Sequence, residues 1–371
     1  MNGCGLRTGR RRLRGAVIQT TCRLGGPWGT ISVTGCLLAW CLTTTVAWGH
    51  DPARDTIAGR LLAWCLTTTV AWGAESAAHA DAKQLRFIFI TTCVEEEFFV
   101  PVQKGMMDAA RVMGVESVFT GTVGVDVKAQ AEMVRQALRD GYDGIALNII
   151  DPVAFDAVAD EARQQGVPLV AFNVDDHATP NARLSAVCQR YYDAGRKVGR
   201  RCAEFIPADS HILMTQHAAG VSALDDRLRG QQEELGPQGI TWTTVVTGNT
   251  AAESLEVITR ELRKDPKIKF VVCTGQADTE GAGLAIEQHF RDRGVVAAGF
   301  DLNPQILRLI KAGIIRFTID QQPYIQGFYP VVQQTLLKRY GIMPSSMDAG
   351  AAVITEDQVD SVLRLTEQHY R

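Results

Sequence analysis

Nine cysteines occur in the 371-residue chain without a single C-x-x-C pair or zinc-type spacing, so neither a redox dithiol nor a structural zinc site is encoded. No G-x-x-x-x-G-K-[ST] and no G-x-S-x-G is present, and the stretch 91–99 after the first predicted strand lacks G-x-G-x-x-G. Nucleotide, esterase and dinucleotide chemistry thereby lose their usual supports, and the scattered Asp and His residues do not compose a catalytic site. Lysine is absent from the first 80 residues, which hold eight Arg and three acidic residues. Subtracting those from the chain's 38 Lys+Arg and 41 Asp+Glu leaves 30 against 38, a formal charge of −8. That balance argues against nucleic-acid binding through electrostatics, because phosphate binding needs clustered Lys and Arg.

What the first 80 residues do contain is LLAWCLTTTVAWG, twice, at 37–49 and 61–73. Arg54 and Arg60 give the second copy a basic flank, its apolar core is too short to span a bilayer, and Ala78-His79-Ala80 follows as a small-residue cleavage site. An export signal over residues 1–80, cleaved after Ala80, is expected. Residues 31–49 are just long enough for one transmembrane helix, but their Thr, Gly and Cys content argues against it. A partial duplication or a start codon placed upstream accounts for the first copy better. A helix-turn-helix ahead of the first strand, which a DNA-binding repressor would need, is replaced by this signal. Beyond it, Cys93, Cys188, Cys202 and Cys273 each sit in or beside an apolar run and are expected as buried free thiols.

The remaining 291 residues are large for one core, so two domains are the default. Short β-branched runs alternate with longer helical stretches, which predicts an α/β fold with parallel sheets covered on both faces. Strands are expected at 85–90, 116–119, 144–149 and 168–172, with helices at 99–113 and 128–140 and a third starting at Pro152. After a linking run at 183–187 the pattern repeats: helices at 192–205, 222–235, 251–264 and 281–289, strands at 211–214, 241–246, 270–273 and 295–300. The chain thus holds two similar wound units.

Residues 295–327, VVAAGFDLNPQILRLIKAGIIRFTIDQQPYIQG, station Asp301 and Gln321 at the carboxyl ends of successive apolar strands, with a helix between that Asn303 can cap and Gly313 closes. In an open α/β sheet ligands bind at that edge, and a carboxylate with an amide can share the hydroxyls of a polar ligand there. A capping Asp and a surface Gln are the plain alternative. The stretch resembles the sugar-binding proteins of bacterial ABC importers, the ribose- and galactose-binding type with the type I periplasmic binding fold. The resemblance runs from about residue 85 to the C-terminus and is carried by several separated motifs in the same order.

That resemblance implies two doubly wound parallel-sheet lobes joined by a three-crossover hinge, with crossings near Val187, Asp320 and Gly350. The lobes are then 81–187 with 321–350, and 188–320 with 351–371. It also implies ligand contacts from both halves. In Glu95-Glu96-Glu97-Phe98-Phe99, the pair Phe98 and Phe99 matches aromatics that stack on a sugar ring, where apolar faces suit the ring C–H groups. Two adjacent Phe at a helix start are ordinarily core, so at least one is expected to be buried. The three Glu depart from the family's Asn-rich pattern; they are solvated charges at a helix N-terminus, or Glu96 accepts sugar hydroxyls. In Phe172-Asn173-Val174-Asp175-Asp176, Asn173 and Asp175 are candidates, while Val174 stands where many relatives have Arg. Arg227, in Leu224-Asp225-Asp226-Arg227, matches an Arg that reaches the ligand, and a planar guanidinium can serve two hydroxyls at once. Asp278 carries over from an Asn-Asp loop whose Asn is here Ala277, or it simply caps the next helix.

The expected protein is therefore a periplasmic, monomeric solute-binding protein without cofactor, metal or enzymatic activity. It would capture a monosaccharide or sugar-like polyhydroxylated ligand and deliver it to an inner-membrane ABC permease. A periplasmic receptor that feeds a sensor kinase or chemoreceptor would use the same pocket.

Overall fold

The structure, a computed structural model, describes residues 83–151, 153–175 and 181–371; the expected export signal and its cleavage site lie outside the described residues. The chain first winds through β1 (Arg86–Thr91), α1 (Phe99–Met113), β2 (Glu116–Gly121), α2 (Val127–Arg139), β3 (Gly144–Leu147), α3 (Asp156–Gln164), β4 (Leu169–Asn173) and β5 (Ala186–Cys188). A second unit follows: α4 (Tyr191–Ala203), β6 (His211–Gln216), α5 (Ser222–Leu235), β7 (Thr241–Val246), α6 (Ala251–Lys264), β8 (Phe270–Val272), α7 (Gln276–Ala285), β9 (Val296–Phe300), α8 (Pro304–Lys311) and β10 (Ile315–Asp320). The long α9 (Pro323–Tyr340), two short strands, β11 (Met347–Asp348) and β12 (Ala352–Ile354), and α10 (Val359–Glu367) complete it.

Two six-stranded sheets result, ordered β11-β5-β4-β3-β1-β2 and β12-β10-β9-β8-β6-β7. The wound strands run parallel, as the sequence alternation predicts, and the β10–β12 pair is antiparallel. The inner strands β3 and β4 are buried along their whole length, which is why they read as unbroken apolar runs rather than as alternating ones. The chain passes between the sheets three times: from β5 to β6, from β10 into α9, which packs on α1, and from β11 to β12.

Three local expectations need correction. The linking run at 183–187 contains most of β5, which pairs with β4 and is short enough to lack a readable period. The helix expected from Pro152 starts at Asp156, because the Asp151 carboxylate first accepts from the N–H groups of Val153 and Ala154 and holds a turn. The helix expected at 281–289 begins at Gln276 and passes into a π turn at Ile286–Phe290. Gly281 is interior to it, and the reason is packing: a Cβ there would lie 2.4 Å from the Ser254 Cβ on α6.

One close helix crossing sets up the site. A Cβ on Gly195 would lie 2.2 Å from the carbonyl oxygen of Arg227, and one on Gly230 would lie 2.4 Å from that of Tyr192. Glycine at both positions lets α4 and α5 touch backbone to backbone, and Arg227 sits at the point of contact. Cys93, Cys188, Cys202 and Cys273 are free and buried, and among the described residues no helix is long and apolar enough to cross a membrane.

Candidate functional site

A cavity of about 600 Å³ opens at the carboxyl ends of the strands of both sheets, a size that suits a small organic ligand. Glu96 reaches it from beyond β1, Asn148 from beyond β3, Asn173 from the end of β4, His217 from beyond β6, Asp301 from beyond β9 and Gln321 from beyond β10.

On the second-sheet wall Arg227 and Asp301 are already paired, while His217 Nδ1 is buried without a hydrogen-bond partner. Arg227, only 2% exposed, donates from Nε and Nη2 to Gln189 Oε1 (3.2 and 2.9 Å) and from Nη1 to the Thr274 carbonyl (2.7 Å). Its guanidinium lies 4.0 Å from the Phe300 ring centroid and 5.0 Å from that of Tyr191, a stacked position Lys could not fill. Asp301 Oδ2 is 3.9 Å away. Burial pushes the Asp301 carboxyl up, against the pull of Arg227 and of the Gln321 hydrogen bond, and burial pulls the Arg227 guanidinium down, against Asp301.

A row of amides joins this wall to the first sheet. Asn148 Nδ2 donates to Asn173 Oδ1 (2.7 Å), Asn173 Nδ2 to Gln326 Oε1 (3.1 Å), Gln326 Nε2 to the Gln321 carbonyl (2.8 Å) and Oε1 (3.3 Å), and Gln321 Nε2 to Asp301 Oδ1 (2.6 Å). Every amide points the same way, because the terminal carboxylate can only accept. Asn173 and Asp301 adopt positive φ of 59° and 70°, conformations that Asn and Asp tolerate better than most residues. At the far end Asn148, 1% exposed, keeps an Oδ1 that is buried without a hydrogen-bond partner.

The first-sheet wall also carries the aromatics and the acidic triplet. Phe99 is buried against Phe119 in the core, while Phe98 is half-buried and meets Phe99 edge-on at 5.2 Å. Glu97 Oε2 accepts from Gln276 Nε2 (3.2 Å) and Asn303 Nδ2 (3.3 Å), both on second-sheet segments, so it ties the two walls together. Glu96 leaves Oε1 buried and unpaired. Burial raises its carboxyl, opposed by the charge of His217 and a bond with Cys93, and Asp301 raises it further. His217 lies 3.7 Å from Asp278 Oδ1; burial disfavours its cation, but Asp278, Glu96 and Asp301 together hold it above its ordinary value.

Of the nine sequence candidates, the structure brings Glu96, Phe98, Phe99, Asn173, Arg227, Asp301 and Gln321 to one cavity. It sets two elsewhere. Asp175 is buried and engaged by Arg183, whose Nη2 donates to Oδ2 at 2.8 Å. Asp278 lies behind the wall, accepting from Thr215 Oγ1 (2.7 Å) and the N–H groups of Thr274 and Gly275 (both 2.8 Å), which makes it the capping group of α7. Sequence reading missed Asn148, Gln189 and Gln326. Asn148 alone left a local signal, a polar residue ending an apolar strand; the two glutamines act only through tertiary contacts.

Residues 87–335 match the sequence profile of the periplasmic binding protein domain, and the chain belongs to that family. Its fold is the type I periplasmic binding fold, two wound α/β units with helices around parallel sheets. The xylose/arabinose-binding protein XylF of Sulfolobus acidocaldarius is 28% identical over 295 residues, 75% of this chain and 73% of that protein. A carbohydrate transporter from Acidothermus cellulolyticus, solved in complex with myo-inositol, superposes with a TM-score of 0.71 at 26% identity, over 78% of this chain and all of the other. A solute-binding protein of an ABC transporter from Burkholderia graminis, solved with D-arabinose, gives a TM-score of 0.71 at 22% identity, covering 76% and 99% of the two chains.

Proposed function

We propose that the chain is a periplasmic solute-binding protein that captures a monosaccharide or a sugar-like polyhydroxylated compound between two lobes and hands it to an inner-membrane ABC permease. The observation that carries this reading is the amide row that ends on Asp301 and leaves the Asn148 acceptor open in a cavity of about 600 Å³ that Phe98 also lines. Such a wall can receive hydroxyl protons around a ring whose C–H face rests on an aromatic. The family membership and the sugar and cyclitol ligands of the Sulfolobus and Acidothermus relatives support the same class of ligand.

Mechanistically, residues 81–187 with 321–350 form one lobe and 188–320 with 351–371 the other. A ligand that touches both walls stabilises the closed arrangement in which Glu97 meets Gln276 and Asn303. No chemical step is needed. A thermal-shift screen of the exported protein against pentoses, hexoses, polyols and inositols tests the proposal, because a ligand that binds only the native state raises its melting temperature. Asn148→Ala should weaken the best hit about tenfold, the cost of one good hydrogen bond in a dry site. A screen in which none of these compounds shifts the transition would remove the reading.

A further inference from the structure

Two of the cavity's unpartnered polar atoms, Glu96 Oε1 and Asn148 Oδ1, can only accept, beside the Tyr191 hydroxyl and His217 Nδ1, and its walls carry an excess of negative charge. Glu95, Glu96, Glu97, Glu253, Glu280 and Asp301 line it, against the guanidinium of Arg227 and the imidazole of His217. Arg227 is committed to Gln189, Thr274 and the field of Asp301. The imidazole has Asp278 behind it at 3.7 Å and also faces Glu96 and Asp301, so its single charge is shared among three carboxylates and does not offset the excess. Glu253 closes the N-terminus of α6 through Thr250, and Glu97 and Glu280 share the Asn303 amide. Glu96 is left over: it lines the cavity, one of its oxygens is buried with no donor, and no lysine lines the cavity among the described residues. Asn148, buried to the same degree as the core, adds a second acceptor without a partner.

A neutral polyol could donate hydroxyls to both atoms but would leave the charge excess uncompensated in a closing cleft, where an unbalanced carboxylate is costly. An ammonium group donates up to three N–H and cancels one charge at the same time. Resting on the sugar-like ligand proposed above, we infer that the physiological ligand carries a protonated amine, as in an amino-substituted sugar or cyclitol, with the ammonium seated at Glu96 and ring hydroxyls serving Asn148 and the amide row.

Calorimetric titration of the ligand-free exported protein with matched pairs tests this: glucosamine against glucose, and an amino-deoxy inositol against myo-inositol, with N-acetylglucosamine as the uncharged amide control. At least one amine should bind about tenfold or more tightly than its hydroxyl counterpart, N-acetylation should abolish the advantage, and Glu96→Gln should collapse the ratio. Equal or weaker binding of the amines in both pairs overturns the inference while leaving a neutral polyhydroxylated ligand in place. An amine preference that survives Glu96→Gln or N-acetylation also overturns it. Failure of every compound to bind removes the sugar-like reading and this inference together. The acetylated control needs no variant, so a folding defect in Glu96→Gln cannot mask the outcome.

Discussion

The two walls of the cavity are built from the same wound α/β unit and differ in how finished they are. On the second-sheet wall Arg227, Asp278 and Asp301 find their partners inside the protein, in Gln189, Thr274, Thr215 and Gln321. On the first-sheet wall Asn148 and Glu96 each keep a buried oxygen with no donor. Apart from the unpaired Nδ1 of His217, the second-sheet wall is a frame whose groups would lose little freedom when a ligand arrives; the first-sheet wall holds the two open acceptors. Orphaned acceptors cost stability and are tolerated where a ligand satisfies them.

The sharpest way to break the contrast is to unfinish the frame. Arg227→Ala removes a guanidinium that is 2% exposed and leaves Asp301 and the Thr274 carbonyl buried without it. Loss of one partner of a buried charged network typically costs about 3–5 kcal/mol, so urea denaturation should show a large drop in stability, and binding should fall with it. A variant that melts like the parent and binds normally would show that the second wall is not preorganised through this residue.

A smaller effect separates frame from contact. Gln326 is fully buried, does not line the cavity, and bridges Asn173 to Gln321. Gln326→Met keeps the volume but cuts the row, leaving Asn173 and Gln321 free to turn; affinity should fall about five- to tenfold with a stability loss of about 1–3 kcal/mol. Unchanged affinity would mean that the amides are held by their own backbones alone.

The mildest prediction concerns Glu96. Its carboxyl is raised by burial, so folding takes up a proton there, and the fold is favoured below the ordinary carboxylate range and disfavoured as pH rises through the raised value. Glu96→Gln should therefore raise the melting temperature of the ligand-free protein near pH 7.5 and change it little at about pH 3, below the ordinary carboxylate value, where the carboxyl is protonated in both states. A variant less stable than the parent at both values would assign Glu96 to the frame and blur the contrast between the walls.

Much of this was legible in the sequence, for a physical reason. Parallel strands buried on both faces are apolar runs, their helices carry caps and closing glycines, and the polar residue that ends such a run, as in Gly299-Phe300-Asp301, falls at the ligand edge. Asp278 and Asp175 were placed at the same edge by that logic and lie off the cavity because Thr215 and Arg183, distant or unremarkable in sequence, claim their oxygens. Gln189 and Gln326 were invisible for the converse reason, since a buried amide earns its role only from what tertiary structure sets beside it. The glycines at 195 and 230 could be read as small but not as the seam that seats Arg227.

The uniform sense of the amides between Asn148 and Asp301 has a directional consequence. A hydroxyl proton given to Asn148 does not compete with the row; it prolongs it by one link, and each dipole then reinforces the next as far as the carboxylate on the opposite sheet. Gln321 and Gln326, the last amides in that line, flank the start of α9, where the backbone travels from one sheet to the other. On the proposed two-lobe reading, occupancy at one rim would be felt as added stiffness at the joint itself, and the segment that bends for release would be the one that a bound guest makes hardest to bend.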